Sequence, residues 1–209
     1  VLNRSSSRPP DNTVPALGET PSPSTKEAAV WSTLWNDDAP ADNAAWITSQ
    51  LEGDSKIVLW AHNFHVSTKS SSMGGDLRDM YGDDMLVIGL SHTQGNFTAV
   101  TQSGSSFTSL MAHALGARRD LSYEHYFSSS GMPRFMLDLR VPNLASGDGG
   151  WLAGPRESRA IGCCYDPGRP STYWSSERLS DLYDVLIHIE TTRATTLLPS
   201  TLPTDFSGN

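Results

Sequence analysis

Apolar and polar positions follow two rhythms along the chain, one typical of strands and one typical of helices. Three nearly continuous apolar runs, Lys56–Ala61, Asp84–Leu90 and Val185–Ile189, predict strands covered on both faces. The Asn96–Thr101 and Arg134–Arg140 segments alternate apolar with polar residues, which predicts two further strands, the second with one face in water. These segments are the predicted strands of the fold.

Apolar residues three and four positions apart predict helices between and beside these strands. The predicted helices cover residues 41–51, 73–81, 107–115 and 175–184. Their expected buried stripes include Ala44, Ile47 and Leu51 in the first helix and Leu77 and Met80 in the second. Helices interleaved with buried strands predict an α/β layered fold, in which a largely parallel sheet is flanked by helices.

The first 40 residues differ from the rest of the chain in composition. Serines are frequent there, and several of the chain's 13 prolines lie between Pro9 and Pro23. Such a segment buries too little apolar surface to offset the entropy lost on ordering. We therefore expect residues 1–40 to form a disordered tail and residues 41–209 to form one domain, which suits a length of 209 residues.

Charge and cysteine content exclude several classes of function. The 15 Lys and Arg residues against 23 Asp and Glu residues leave a formal net charge of −8, so we expect no nucleic-acid partner. The longest apolar run, Ile57–Ala61, is far shorter than a membrane helix requires, so no membrane partner is expected. The only cysteines, Cys163 and Cys164, are adjacent and are sterically poor disulfide partners, which favours a cytoplasmic location.

Two histidines, His62 and His65, directly follow the first predicted strand. Ligands of α/β sheets bind beyond the carboxyl ends of strands, so a site is expected here. The two rings can serve one site only if the chain turns after Ala61, because residues three apart share a face in a helical turn and not in a strand. Each imidazole is then suited to act as a general acid or base. The alternative is that one ring only satisfies backbone groups at the end of the strand.

The same histidines are also compatible with zinc, since imidazole is a frequent zinc ligand. Their spacing lacks the helical placement and the glutamate of the HExxH motif. A complete ligand set would need Cys163, Cys164 or His188.

A further alternative is a serine nucleophile. The segment Gly89-Leu90-Ser91-His92-Thr93 resembles the GxSxG elbow of serine hydrolases, with Thr93 in place of the second glycine. The sequence contains no glycine-rich nucleotide loop, so no nucleotide cofactor is expected. The other histidines and the C-terminal arginines are interpreted as structural or solvated residues: His113, His125, His188, Arg156, Arg159, Arg169 and Arg178.

Residues 56–66, KIVLWAHNFHV, resemble the KIVLWAHNGHV segment of the erythromycin esterase family, with Phe64 where glycine is usual. Looser similarities to the C-terminal half of that family extend over residues 41–196. They comprise Ala41–Asn43, Met73–Gly74, Tyr81–Asp84, Val87–Gly89, Gly95–Ala99, Arg159–Gly162 with Tyr165, and Leu182–Ile187 with Thr191 and Thr192.

The resemblance implies a hydrolase that opens an ester or a macrolide lactone, a reaction associated with macrolide resistance. It implies catalytic roles for His62 and His65 and substrate-binding roles for Asn63, Phe64 and Gly74, with neither a cofactor nor a tightly bound metal. Water would attack the ester carbonyl with the help of a histidine. The base histidine and its companion glutamate come from the N-terminal half of the family, for which this chain has no matching segment. We therefore expect an incomplete fold that needs the missing half for activity, or else a non-catalytic α/β binding module.

Overall fold

The computed structural model describes residues 38–51, 56–141 and 147–196. Residues 1–37 of the predicted tail lie outside these ranges, and its last residues belong to the first helix. The helices are α1 (Asp38–Ser49), α2 (Asn63–Val66), α3 (Met73–Tyr81) and α4 (Tyr123–Ser129). The strands are β1 (Ile88–Ser103), β2 (Ser106–Ala114), β3 (Arg134–Asp138), β4 (Arg156–Arg159), β5 (Cys164–Tyr165), β6 (Trp174–Glu177) and β7 (Val185–Thr192). None of the described helices is both long and apolar enough to cross a membrane.

The main sheet has the strand order β2-β1-β7-β3, with β5 paired to the distal part of β1. β1 runs parallel to β7 and β5, whereas β2 and β3 are antiparallel to their neighbours. A separate antiparallel pair joins β4 and β6. The fold is thus a mixed α/β fold with a sheet flanked by helices, and the expected largely parallel sheet is not confirmed. The short turn between β1 and β2 makes that pair antiparallel, whereas a parallel pair such as β1 and β7 needs a long crossover.

The hairpin of β1 and β2 corrects two sequence expectations. The predicted strands at Asp84–Leu90 and Asn96–Thr101 contribute to a single strand, β1. The helix predicted at Phe107–Leu115 is wrong, because this segment forms β2. A tight turn with Gly104 at φ 60° reverses the chain, and the backbone of β2 then pairs with β1. Pairing between strands therefore overrides a helix-like apolar spacing.

Two other predicted elements are absent. The Lys56–Ala61 segment is not a buried strand, since Val58 and Trp60 are 88% and 85% exposed. No described strand pairs with this segment. Backbone groups without a protein partner must be hydrated, so the segment stays at the surface. The helix predicted at 175–184 is replaced by β6, whose partner is β4, and by a 3₁₀ turn at Leu179–Asp181.

One face of the main sheet packs into the principal core. Leu186 of β7 is 1% exposed and lies among Val87, Tyr123 and Phe127. Two of these residues, Tyr123 and Phe127, belong to α4, which is therefore a core helix.

The opposite face of the sheet carries apolar side chains that the described residues leave open to solvent. On β1 and β7, exposed and buried positions alternate as a pleated strand requires. Ile88, Leu90, Met136 and Ile189 are 42%, 40%, 72% and 37% exposed. We call these four residues the open sheet face.

A second cluster joins α1 to α3 through Ala41, Ala44, Met73 and Leu77. The predicted bounds of α3 are confirmed, because the Ser72 side chain caps its first turn and Gly82 follows its last residue. The predicted inward positions Ile47, Leu51 and Met80 are wrong, since these side chains are 47%, 41% and 49% exposed. Small alanines, and not the larger residues, form the face of α1 that contacts α3.

Candidate functional site

The chain turns directly after Ala61, as a shared histidine site requires. Asn63–Val66 forms the single helical turn α2, and His62 is its N-cap residue. The Nδ1 atom of His62 accepts a hydrogen bond from the Phe64 amide at 3.2 Å. Its Nε2 atom lies 2.7 Å from the carbonyl oxygen of Ile161. Since Nδ1 is an acceptor, Nε2 carries the proton and donates to Ile161, so both ring nitrogens fix the orientation of the ring.

His65 lies one turn further on and faces His62. The two ring centroids are 6.3 Å apart, with an interplanar angle of 75°. Both side chains are exposed. The structure therefore brings the two predicted catalytic residues together, while their catalytic role stays a prediction.

Asn63 holds the histidine turn against β1. Its Nδ2 atom donates to the carbonyl oxygen of Leu90 at 2.6 Å, and its Oδ1 atom accepts from the Leu90 amide at 3.0 Å. The amide side chain thus pairs with Leu90 as a neighbouring strand would. The Tyr183 hydroxyl adds a hydrogen bond to the carbonyl oxygen of Asn63 at 3.4 Å. This arrangement makes Asn63 a positioning residue for the histidines.

The other two predicted substrate-binding residues lie in different surroundings. Phe64 is 45% exposed, and its ring contacts His65 edge-on at a centroid distance of 5.5 Å. Gly74 is buried where α3 approaches the backbone of α2, and a Cβ atom there would lie 2.1 Å from the carbonyl oxygen of Val66. Phe64 is therefore available for contact with a ligand, whereas Gly74 permits the close packing of two helices.

A second hydrogen-bonded chain links Ser91, His188 and Glu190. The Ser91 hydroxyl lies 2.9 Å from Nδ1 of His188, and Nε2 of His188 lies 3.3 Å from Oε2 of Glu190. His188 is fully buried and packs against the rings of Phe127 and Phe135. Burial lowers the pKa of His188, although the hydrogen bond to Glu190 opposes this effect. Since Nε2 donates to Glu190, Nδ1 of the neutral ring accepts a hydrogen bond from the Ser91 hydroxyl.

Sequence reasoning missed a group of polar residues around Arg159, in which Glu124 is buried and His92 and Arg159 are half-buried. Glu124 is 2% exposed and accepts a hydrogen bond from the Arg159 amide at 2.8 Å. Burial raises the pKa of Glu124, and burial followed by the charge of Arg159 lowers the pKa of His92. One side-chain atom of each, Glu124 Oε2, Arg159 Nε and His92 Nε2, has no protein partner. Arg159 lies in a segment that resembles the family, but no local sequence signal marks Glu124 or His92 as its neighbours, because these residues come together only through the tertiary fold.

The alternative zinc ligands are not assembled in the part of the chain that the structure describes. No group of three or more His, Cys, Asp or Glu side chains there could hold a metal ion. The Nε2 atom of His62 is also engaged by Ile161. A described cavity of about 330 Å³ is lined by Ala41, Asp42, Asp76, Asp79 and Met80, and contains none of the predicted site residues.

The fold and site together define a mixed α/β domain with an oriented pair of imidazoles beside its central strand. The chain belongs to the erythromycin esterase family, whose sequence profile matches residues 20–192. This match extends into the segment predicted to be a disordered tail.

Solved structures with a similar fold include a protein from Bacillus cereus, with 25% identity and a TM-score of 0.62 over 75% of this chain and 38% of that one. A succinoglycan biosynthesis protein has 22% identity and a TM-score of 0.62 over the same shares. A variant of the erythromycin esterase EreC, in its open conformation, has 17% identity and a TM-score of 0.49 over 74% of this chain and 36% of that one. The chain thus spans well under half the length of these proteins.

Proposed function

We propose that this chain is part of a hydrolase that cleaves a carboxylic ester or lactone by water attack, with His62 and His65 in the active site. Membership of the erythromycin esterase family supports hydrolysis as the reaction class. The observation that carries the assignment to these residues is the facing pair of exposed imidazoles on one turn, 6.3 Å apart. The substrate is a small molecule of the ester class, and macrolides are one candidate.

His62 and His65 have different surroundings and therefore different roles in the proposed active site. The His62 ring is fixed by backbone groups on both nitrogens, so it exchanges a proton with a bound ester only after one of these two hydrogen bonds opens. His65 lies beside the exposed ring of Phe64, which supplies an apolar surface for the substrate. A proton carried between such imidazoles and the reacting oxygen contributes about 10²- to 10⁴-fold to the rate.

The open sheet face supports a role for the remaining part of the family fold. This chain aligns with 38% of the length of the B. cereus protein. Exposed apolar surface of this kind is typical of a face that another protein segment covers. We propose that the rest of the family fold packs on the open sheet face and contributes the catalytic base, whether it belongs to the same polypeptide or to another one. The isolated chain then has little or no turnover.

An esterase assay tests this function. The enzyme is assayed with the remaining half of the fold present, against simple esters and a macrolide, with and without a chelator. His62→Ala should lower ester turnover by about 10²-fold or more. His125→Ala is the matched control, because this histidine belongs to α4 and contacts Tyr126 rather than the histidine turn. An unchanged rate in a folded His62→Ala protein removes His62 from the mechanism.

The Ser91-His188-Glu190 chain supports a second candidate, a serine hydrolase. Ser91 Oγ would attack an acyl carbonyl while its proton passes to Nδ1 of His188, which then protonates the leaving alcohol. This mechanism predicts covalent labelling by a fluorophosphonate that Ser91→Ala abolishes and that replacement of the exposed Ser106 leaves intact. Absence of labelling excludes it. Ester turnover absent from every form of the protein would favour the non-catalytic binding module.

A further inference from the structure

The two adjacent cysteines place their sulfur atoms side by side. Cys163 lies at a bend immediately before β5, and Cys164 is the first residue of that strand. Their Sγ atoms are 2.7 Å apart, although consecutive side chains in a regular strand point to opposite faces. Cys163 is exposed, and Cys164 is half-buried. The bend therefore presents two neighbouring thiols to solvent.

The two thiols are chemically unequal. A hydrogen bond with Cys163, followed by burial and by the charge of Cys163, raises the pKa of Cys164. The raised pKa favours the protonated form of Cys164. Because Cys163 is exposed and Cys164 is half-buried, an oxidant reaches Cys163 first, so Cys163 is the attacking thiol of the pair and Cys164 is the resolving thiol.

We propose that Cys163 and Cys164 form a reversible oxidation site that a peroxide converts into a disulfide between adjacent residues. The Cys163 thiolate attacks one peroxide oxygen and forms a sulfenic acid, and the second oxygen leaves as water after it gains a proton. The Cys164 sulfur then displaces the sulfenic hydroxyl, which leaves as a second water. Two thiols and one hydrogen peroxide molecule thus give one disulfide and two water molecules.

The geometry of adjacent residues makes this disulfide easy to reduce. Consecutive Cα atoms are about 3.8 Å apart, below the usual 4.4–6.8 Å between cysteines in a disulfide. Strained and exposed disulfides have more oxidising potentials and are the labile ones. The same steric cost that makes these residues poor partners for a structural disulfide therefore suits them to a reversible one.

The oxidation site is linked to the histidine turn through the backbone. The carbonyl oxygen of Ile161, two residues before Cys163, accepts the Nε2 hydrogen bond of His62. The carbonyl oxygen of Cys163 accepts from the Val100 amide at 3.0 Å. Closing a ring across the Cys163–Cys164 peptide strains the peptide that carries the Cys163 carbonyl, two residues after the carbonyl that holds His62. We therefore expect oxidation to change the surroundings of His62. This expectation depends on the backbone geometry alone and not on the proposed hydrolysis.

The experiment uses the full 209-residue chain, in which these are the only two cysteines. Treatment with hydrogen peroxide should remove both free thiols and lower the mass of the monomer by two hydrogen atoms, and dithiothreitol should reverse both changes. Cys164→Ser should stop at a sulfenic acid that dimedone traps on Cys163, and Cys163→Ser should keep its remaining thiol under the same treatment. The NMR signal of the His62 ring should shift on oxidation of the native chain and not in Cys163→Ser.

Three results would overturn the proposal: thiols that survive the peroxide, conversion to sulfinic acid without loss of two hydrogens, or disulfide-linked dimers in place of the oxidised monomer. A His62 signal that stays unchanged in a fully oxidised monomer would refute the link to the histidine turn. None of these readouts requires ester turnover, so their failure is distinguishable from failure of the proposed function.

Discussion

Replacing Leu186 by alanine tests whether the two faces of the sheet differ as the structure shows. Leu186 is 1% exposed and belongs to the principal core, whereas Ile189 on the same strand is 37% exposed. Removing a buried leucine side chain costs about 2.7–5.0 kcal/mol, because the cavity collapses only in part. Ile189→Ala, the matched control, should cost about 1 kcal/mol or less in the isolated chain, since its partly exposed site leaves no enclosed cavity.

Urea unfolding of the isolated chain, followed by far-UV circular dichroism, measures the difference. If the unfolding free energy falls by about 2 kcal/mol per molar urea, Leu186→Ala should lower the midpoint by about 1.3–2.5 M. Ile189→Ala should lower it by less than about 0.5 M. Equal midpoint shifts for the two variants would show that the open sheet face is covered in solution, which would refute the assignment of faces.

Two further predictions concern close packing and protonation. Gly74→Ala should destabilise the chain by about 2 kcal/mol, because the added Cβ atom would lie 2.1 Å from the backbone of α2. Gly154→Ala is the control and should be neutral within about 0.5 kcal/mol, because no atom lies within 4 Å of the added Cβ atom. Similar urea midpoints for the two variants would contradict this prediction. His188 should titrate below its ordinary pKa of about 6.5 in NMR spectra, because burial disfavours its charged form. As the pH falls through 6.5, His188 binds a proton in the unfolded chain before it does so in the folded chain. The unfolding free energy therefore falls with pH between 6.5 and the lower pKa that His188 has in the folded chain. A measured value at or above 6.5 would refute this.

Elements with local boundary signals could be predicted from the sequence. α3 begins after Ser72 and ends before Gly82, and both signals act within one helical turn. β7 is recognisable because its apolar residues are contiguous and bulky. β2 was not predictable in the same way, since its apolar spacing also suits a helix and only pairing with β1 decides between them.

The candidate site could be predicted in its residues but not in its contacts. The HNFH segment indicated the histidine pair, and the required turn followed from the spacing of His62 and His65. The partner of His62 is Ile161, 99 residues away, and Ser91 contacts His188 at a separation of 97 residues. No periodicity or motif encodes such pairs, because they depend on which strands become neighbours.

The amide of Asn63 has a consequence for assembly. It occupies both backbone hydrogen-bonding groups of Leu90, at the edge of β1 that faces away from β7. Unpaired strand edges can pair with strands of other molecules, and a side chain that occupies their backbone hydrogen-bonding groups blocks this pairing. A strand that paired with this edge would have to displace the Asn63 side chain, which also holds the turn that carries both imidazoles. Growth of the sheet at this position and correct placement of the histidines are therefore competing outcomes.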